Sequence, residues 1–188
     1  MHRDRLPPID LVALDDAQRQ AVDEFHSARG EPVLGPFVPL LRSPELMRRA
    51  RALGDYLRYR SRLAPRLREL LILMTAREWT QQTEWSIHDD AARRAGLRAE
   101  TIDAVAAGRR PDALAEDEAA LHDLFVELQR HRCVSDASYA RAVELLGEQG
   151  VLDAIGIIGY YTLLAMVMNV ARTPPPEGAA AALTSFPF

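Results

Sequence analysis

The sequence predicts an all-α protein, and three observations carry that prediction. Apolar residues recur at helical spacing along the chain. Alternating runs rich in Val, Ile and Thr, which would mark half-buried strands, are absent. Capping residues, prolines and glycines divide the chain into segments of helical length.

Residues 1–14 read as an extended arm containing Pro7 and Pro8. Asp15 and Asp16 cap a helix over 15–29 that stops at Gly30. "GEPVLGPFVPLLRSP" follows, and its prolines and glycines predict a loop. Ser43 then caps a helix to Arg60, with Pro44 at its first position and Glu45 in its first turn. Pro65 opens the next, to Trp79. "QQTEWSIHDDAARRAG", residues 81–96, forms another, closed by Gly96. A short helix covers 98–107, before Gly108.

"AEDEAALHDLFVELQRH" is amphipathic, with Leu121, Leu124, Phe125 and Leu128 on one side. Ser135 caps a helix to Gly147. "AIGIIGYYTLLAMVMNVA", residues 154–171, contains no charge and reaches the lower limit for a membrane span. It stands alone, and Glu148 and Asp153 precede it instead of basic residues. It therefore reads as the core helix of a soluble bundle, spanning about 149–171. "RTPPPEG" ends it.

The 188 residues fit one domain, with 1–60 as an N-terminal arm and helices, 61–172 as the core and 173–188 as a tail. Arginine supplies all the basic charge, yet the net charge is −4, which disfavours a nucleic-acid partner. The one cysteine, Cys133, excludes an internal disulfide. The N-terminus lacks the apolar stretch of a signal peptide, so a cytoplasmic location without membrane attachment is expected. No HExxH, CxxC or EF-hand pattern and no Gly-rich phosphate loop is present, so no metal and no cofactor is expected.

The chemistry concentrates on two helices. Glu69 leads an apolar row through Ile72, Leu73 and Ala76, where a carboxylate is costly without a partner. On the following helix, Asp89, Asp90, Arg93 and Arg94 form a solvated stripe. The other side carries Glu84, Trp85, His88 and small alanines that admit a neighbouring helix closely. Helices joined by a short link pack antiparallel, so a Glu69–His88–Glu84 cluster is expected between them. Histidine titrates near neutrality and a buried carboxyl is tuned toward it, so such a cluster suits proton transfer. A surface-type i,i+4 pair between Glu84 and His88 is the competing structural reading.

Trp79 and Trp85 are expected to border the cluster, and Tyr160 and Tyr161 to pack in the core or line a cavity with their hydroxyls. Arg77 or Arg62 is the expected binder of a substrate carboxylate. His122 reads as solvated, and His131 as a cation at a helix C-terminus.

The segment 63–108, with "LRELLIL", "EWSIH", "AGL" and a closing Gly, resembles the carboxymuconolactone decarboxylase family, related to alkylhydroperoxidase D. A looser likeness continues through "VSDASYARAVELLGEQGVLDAIGIIGYY". The resemblance implies an alkylhydroperoxidase D-like helical bundle around a central antiparallel hairpin, assembled as a homotrimer or hexamer. It also implies either cofactor-free decarboxylation of a lactone acid or thiol-dependent peroxide reduction. The peroxide-reducing branch carries C-x-x-C and then a histidine. Aligning that histidine with His88 puts Gln81 and Glu84 in the cysteine positions, and Glu69 at the proton-relay glutamate.

Peroxide reduction of that kind needs two thiols, and this motif has none. The expected function is therefore a decarboxylase-like lyase or isomerase on a small carboxylated lactone or related carbonyl acid. In it His88 is the proton donor, Glu84 its orienter and Glu69 a relay. Arg77, Trp85 and Tyr160 complete the substrate site. A peroxidase working through Cys133 or an external thiol, and a non-catalytic oligomeric binding protein, are the alternatives.

Overall fold

The computed structural model describes residues 4–175 and 183–184. Among these residues it is all-helical: α1 (Asp16–Arg29), α2 (Phe37–Leu40), α3 (Pro44–Tyr59), α4 (Pro65–Glu78), α5 (Gln82–Arg94), α6 (Ala99–Ala106), α7 (Glu116–His131) and α8 (Asp136–Ala171). The first helix starts at a capping box, in which Asp15 accepts from the Gln18 backbone and the Gln18 side chain bonds back. Ser43 holds the cap position of α3, but its side chain makes no cap bond; Pro44 at the first turn leaves fewer amides to satisfy. Ser135 does cap α8, accepting from the Ser138 backbone.

Two departures from the sequence reading concern the ends. The Pro-rich segment 30–44 is not all loop. Its apolar residues Phe37, Pro39 and Leu40 are buried as the short α2, because burial outweighs poor helix propensity over a single turn. The arm contains a 3-10 turn at Leu11–Ala13, capped by Asp10. Its Arg5 amide donates to the Ala171 carbonyl, tying the arm to the end of α8. Much of the 173–188 tail lies outside the described residues, but Leu183 is buried.

The last two helices of the sequence reading run on as α8, broken at Gly147, where φ is +70° and ψ 165°. A left-handed φ of this kind favours glycine and lets the chain change direction between the polar and apolar halves. The apolar half has the length and composition of a membrane span, but most of that stretch is buried within the protein. The helix as a whole packs against α4 and α7, as a core helix does.

The centre of the core is α4, buried continuously from Glu69 to Arg77. It contacts α5, α6, α7 and α8. A three-residue link then turns the chain back, with Thr80 left-handed at φ 47°. Gln81 holds this link: its side chain caps α5 by accepting from the Thr83 amide. Its amide also donates to Asn169 on α8, which itself donates to the Trp79 carbonyl.

Candidate functional site

The α4–α5 hairpin brings Glu69 beside His88. The Glu69 Oε2 to His88 Nδ1 distance is 2.7 Å, and the two residues are only 7% and 4% exposed. With Glu69 ionised, Nδ1–H donates to the carboxylate. That fixes the ring and leaves Nε2 as the atom that gains and loses a proton. The His88 ring also meets Tyr161 edge-on, with centroids 5.2 Å apart, and Tyr161 meets Tyr160 in the same way.

Glu84, one turn before His88, does not orient the imidazole as the sequence suggested. Both its carboxyl oxygens are buried without a hydrogen-bond partner among the described residues. Burial raises its pKa well above the ordinary carboxyl value, because nothing compensates a desolvated negative charge. Glu69 takes the orienting role because the hairpin register places it, and not the i−4 residue, against Nδ1.

His88 and Glu84 open onto a cavity of about 530 Å³, whose far walls come from α1, α2 and α3. Tyr160 and Tyr161 line it, as do Phe25 and Phe37. Burial pushes the Tyr160 hydroxyl up to about 12 and raises Tyr161 further, so both remain neutral hydrogen-bonding groups. Glu69 stands behind His88 and is not part of the cavity wall.

The cations of this cavity are not those the sequence nominated. Arg77 lines a separate cavity, and its guanidinium donates to the Thr184 carbonyl, 2.6 Å away. It lies two turns along α4 from Glu69, beyond the reach of the hairpin cluster. Arg62 offers its backbone amide to Asp153 and does not line the cavity. Trp85 is 3% exposed and packs in the core without reaching the wall, since it points off the His88 face of α5.

Arg29, Arg58 and Arg60 line the cavity instead. Arg29 is paired with Asp55 at 2.8 Å. Arg58 and Arg60 meet no carboxylate at salt-bridge distance among the described residues; their rings of contact are Tyr59 and Tyr56. Arg58 is half-buried, and although burial opposes its charge, Tyr161, Tyr59 and Glu69 support it and its pKa is raised. The signal that could have found it is "DYLRYR", an aromatic–basic run at the end of α3, which reads as part of an arm until that arm closes over the hairpin.

His122, read as solvated, is buried, because α7 turns it toward Arg110 and not toward water. Cys133 is exposed, in the turn after α7, and does not line the His88 cavity.

The family model of the Carboxymuconolactone decarboxylase family matches residues 44–124. Over these residues the chain is similar to this family. The match starts upstream of the segment that carries the resemblance in sequence, so it takes in α3 and Arg58 as well as Glu69, Glu84 and His88. The same fold is seen in a structure described as the alkylhydroperoxidase AhpD core of an uncharacterized peroxidase-related protein from Ralstonia eutropha JMP134. That structure superposes with a TM-score of 0.74 at 21% identity, over 94% of this chain and 95% of that one. No curated protein matches the chain.

Proposed function

We propose that this chain, similar over residues 44–124 to the carboxymuconolactone decarboxylase family, is a cofactor-independent acid/base enzyme. It acts as a decarboxylase or isomerase on a small carboxylated lactone or a related carbonyl acid. The observation that carries this reading is His88, held by buried Glu69 and opening, beside the buried and unpartnered carboxyl of Glu84, onto a cavity of substrate size.

In the decarboxylation, the bond from carbon to the departing carboxylate breaks, CO2 leaves, and the electron pair enters a conjugated carbonyl to give an enolate. The protonated carboxyl of Glu84 hydrogen-bonds the oxygen that receives this charge, as a neutral acid in an apolar site does. His88 delivers a proton from Nε2 to the carbon, and Glu69 steadies the imidazolium before that transfer. One proton is consumed for each CO2 released. In an isomerisation the same Nε2 removes and returns the proton. Arg58 holds a second carboxylate of the substrate. Binding the departing carboxylate there would stabilise the ground state and slow the reaction.

The dithiol peroxidase reading is disfavoured by Gln81 and Glu84. Gln81 is a helix cap tied to α8, and Glu84 is a carboxyl in the position of the second cysteine of the C-x-x-C motif. A cytoplasmic homo-oligomer, trimeric or hexameric, fits the exposed Leu152, Ile155, Met166 and Val170 along α8.

The test is CO2 release and the ultraviolet absorbance change as substrate is consumed, with carboxymuconolactone and related lactone acids. Turnover by the native chain that falls about 100-fold or more in His88→Ala supports the reading. Equal turnover by His88→Ala, or peroxide reduction with a dithiol and no lactone turnover, defeats it.

A further inference from the structure

A second cavity, of about 630 Å³, is built by the end of α4, the turn after α6 and one side of α7. It shares no lining residue with the cavity at His88. Its floor is apolar: Met74, Val105 and Phe125 are all buried. Its remaining wall is cationic. Arg77, Arg109, Arg110 and Arg130 line it against one carboxylate, Glu78, in a chain whose net charge is negative.

Two of these cations are already engaged. Arg110 is paired with Asp123, and Arg77 donates to Thr184. Arg109 and Arg130 are exposed and meet no carboxylate at salt-bridge distance among the described residues. Gln129 and His122 are the other polar side chains of the lining. An Arg110 nitrogen lies 2.9 Å from the His122 Nδ1. Asp123 Oδ1 lies 3.4 Å from the same nitrogen, a longer contact; a guanidinium only donates, so in the shorter contact Nδ1 accepts and the imidazole proton is on Nε2. Desolvation lowers the His122 pKa, in agreement with a neutral ring. Nε2–H donates to no described residue.

We propose that this cavity binds an amphipathic organic carboxylate. The apolar body lies on Met74, Val105 and Phe125, and the head group meets Arg109, Arg130 and the Nε2–H of His122. An inorganic anion would leave the apolar floor uncovered, whereas a neutral chain would leave the two cations unmatched. The volume, about 630 Å³, is within the ordinary range of small-molecule sites and admits a medium-chain acid with room to spare.

Isothermal titration calorimetry with sodium octanoate, 1-octanol and inorganic phosphate tests this on the intact chain. Octanoate should bind saturably at one site per chain, with 1-octanol and phosphate each about tenfold weaker or more. Arg109→Glu/Arg130→Glu should weaken octanoate about tenfold or more, and Arg109→Gln/Arg130→Gln by less. Both positions are exposed, and a matching urea midpoint shows that the variants fold. Arg58→Ala should leave octanoate binding unchanged, since Arg58 belongs to the other cavity. Equal affinity for 1-octanol, unchanged binding in Arg109→Glu/Arg130→Glu, loss of binding in Arg58→Ala, or no saturable octanoate heat overturns the proposal.

Discussion

His88 and Glu69 lie nineteen positions apart in the chain, yet Nδ1 and Oε2 meet at 2.7 Å inside the α4–α5 hairpin. The contact sets which ring nitrogen faces the cavity. Glu69→Gln keeps an oxygen that accepts from Nδ1–H but loses the charge that supports the imidazolium. Turnover of the identified substrate should fall about 10- to 100-fold with KM little changed. Glu69→Leu should in addition cost about 1–3 kcal/mol of stability, because it leaves Nδ1–H buried without an acceptor. A stability loss in Glu69→Leu without any rate loss in Glu69→Gln would make the contact structural only.

Glu84 gives a pH signature. The unfolded chain releases this proton near the ordinary value of 4.5, while the folded chain holds it until a higher pH. Across that window the folded state binds more protons, so its stability falls as pH rises, by about 1.4 kcal/mol per pH unit from this group. Below the window its contribution is fully present. Glu84→Gln removes the titration, so urea midpoints of the two proteins should converge near pH 4 and separate at pH 7, with the variant more stable. Parallel curves would show that Glu84 ionises normally.

Arg58 should act on substrate binding and not on the chemical step. Arg58→Ala is expected to raise KM about tenfold or more with a small change in kcat. Arg77→Ala should leave KM for that substrate unchanged, as Arg77 lines the other cavity. Steady-state kinetics on both variants check the assignment, and a KM defect in Arg77→Ala alone would reverse it.

Tyr160 is placed by a glycine. A Cβ at Gly54 would overlap the Tyr160 hydroxyl and sit 2.6 Å from its ring carbon Cζ. Ala favours a helix over Gly by roughly 1 kcal/mol, but overpacking of this kind costs about 1–3 kcal/mol. Gly54→Ala should therefore lower the thermal midpoint, and Gly54→Ala/Tyr160→Phe should recover part of the loss. If Gly54→Ala is more stable than the native chain, Tyr160 does not lie on that backbone.

Much of the architecture is legible in the chain itself. Local signals sufficed where one element decides its own shape: Asp15 and Ser135 as caps, Pro44 and Pro65 as first residues, Gly147 as a break. The hairpin pair was legible because Glu69 stands in an apolar row and His88 on the small-residue side of α5. The short link between those helices forces them together. What was missed depends on distant packing. Arg58 and the walls from Phe25 and Phe37 join the site only when α1–α3 close over α5 and α8. Arg77 and Trp85 sit on the right helices but face away, and helix periodicity alone does not say which of several buried directions meets a cavity.

The sequence by itself determined the helical fold, the family likeness, the missing thiols and the nomination of Glu69, Glu84 and His88, because these are properties of residue type and near spacing. Only the tertiary structure decided that Glu69 and not Glu84 holds His88, that Glu84 is buried without a partner among the described residues, and that Arg58 joins Arg29 and Arg60 in lining its cavity. Those outcomes rest on hydrogen-bond geometry and desolvation, which depend on which groups surround a side chain in space.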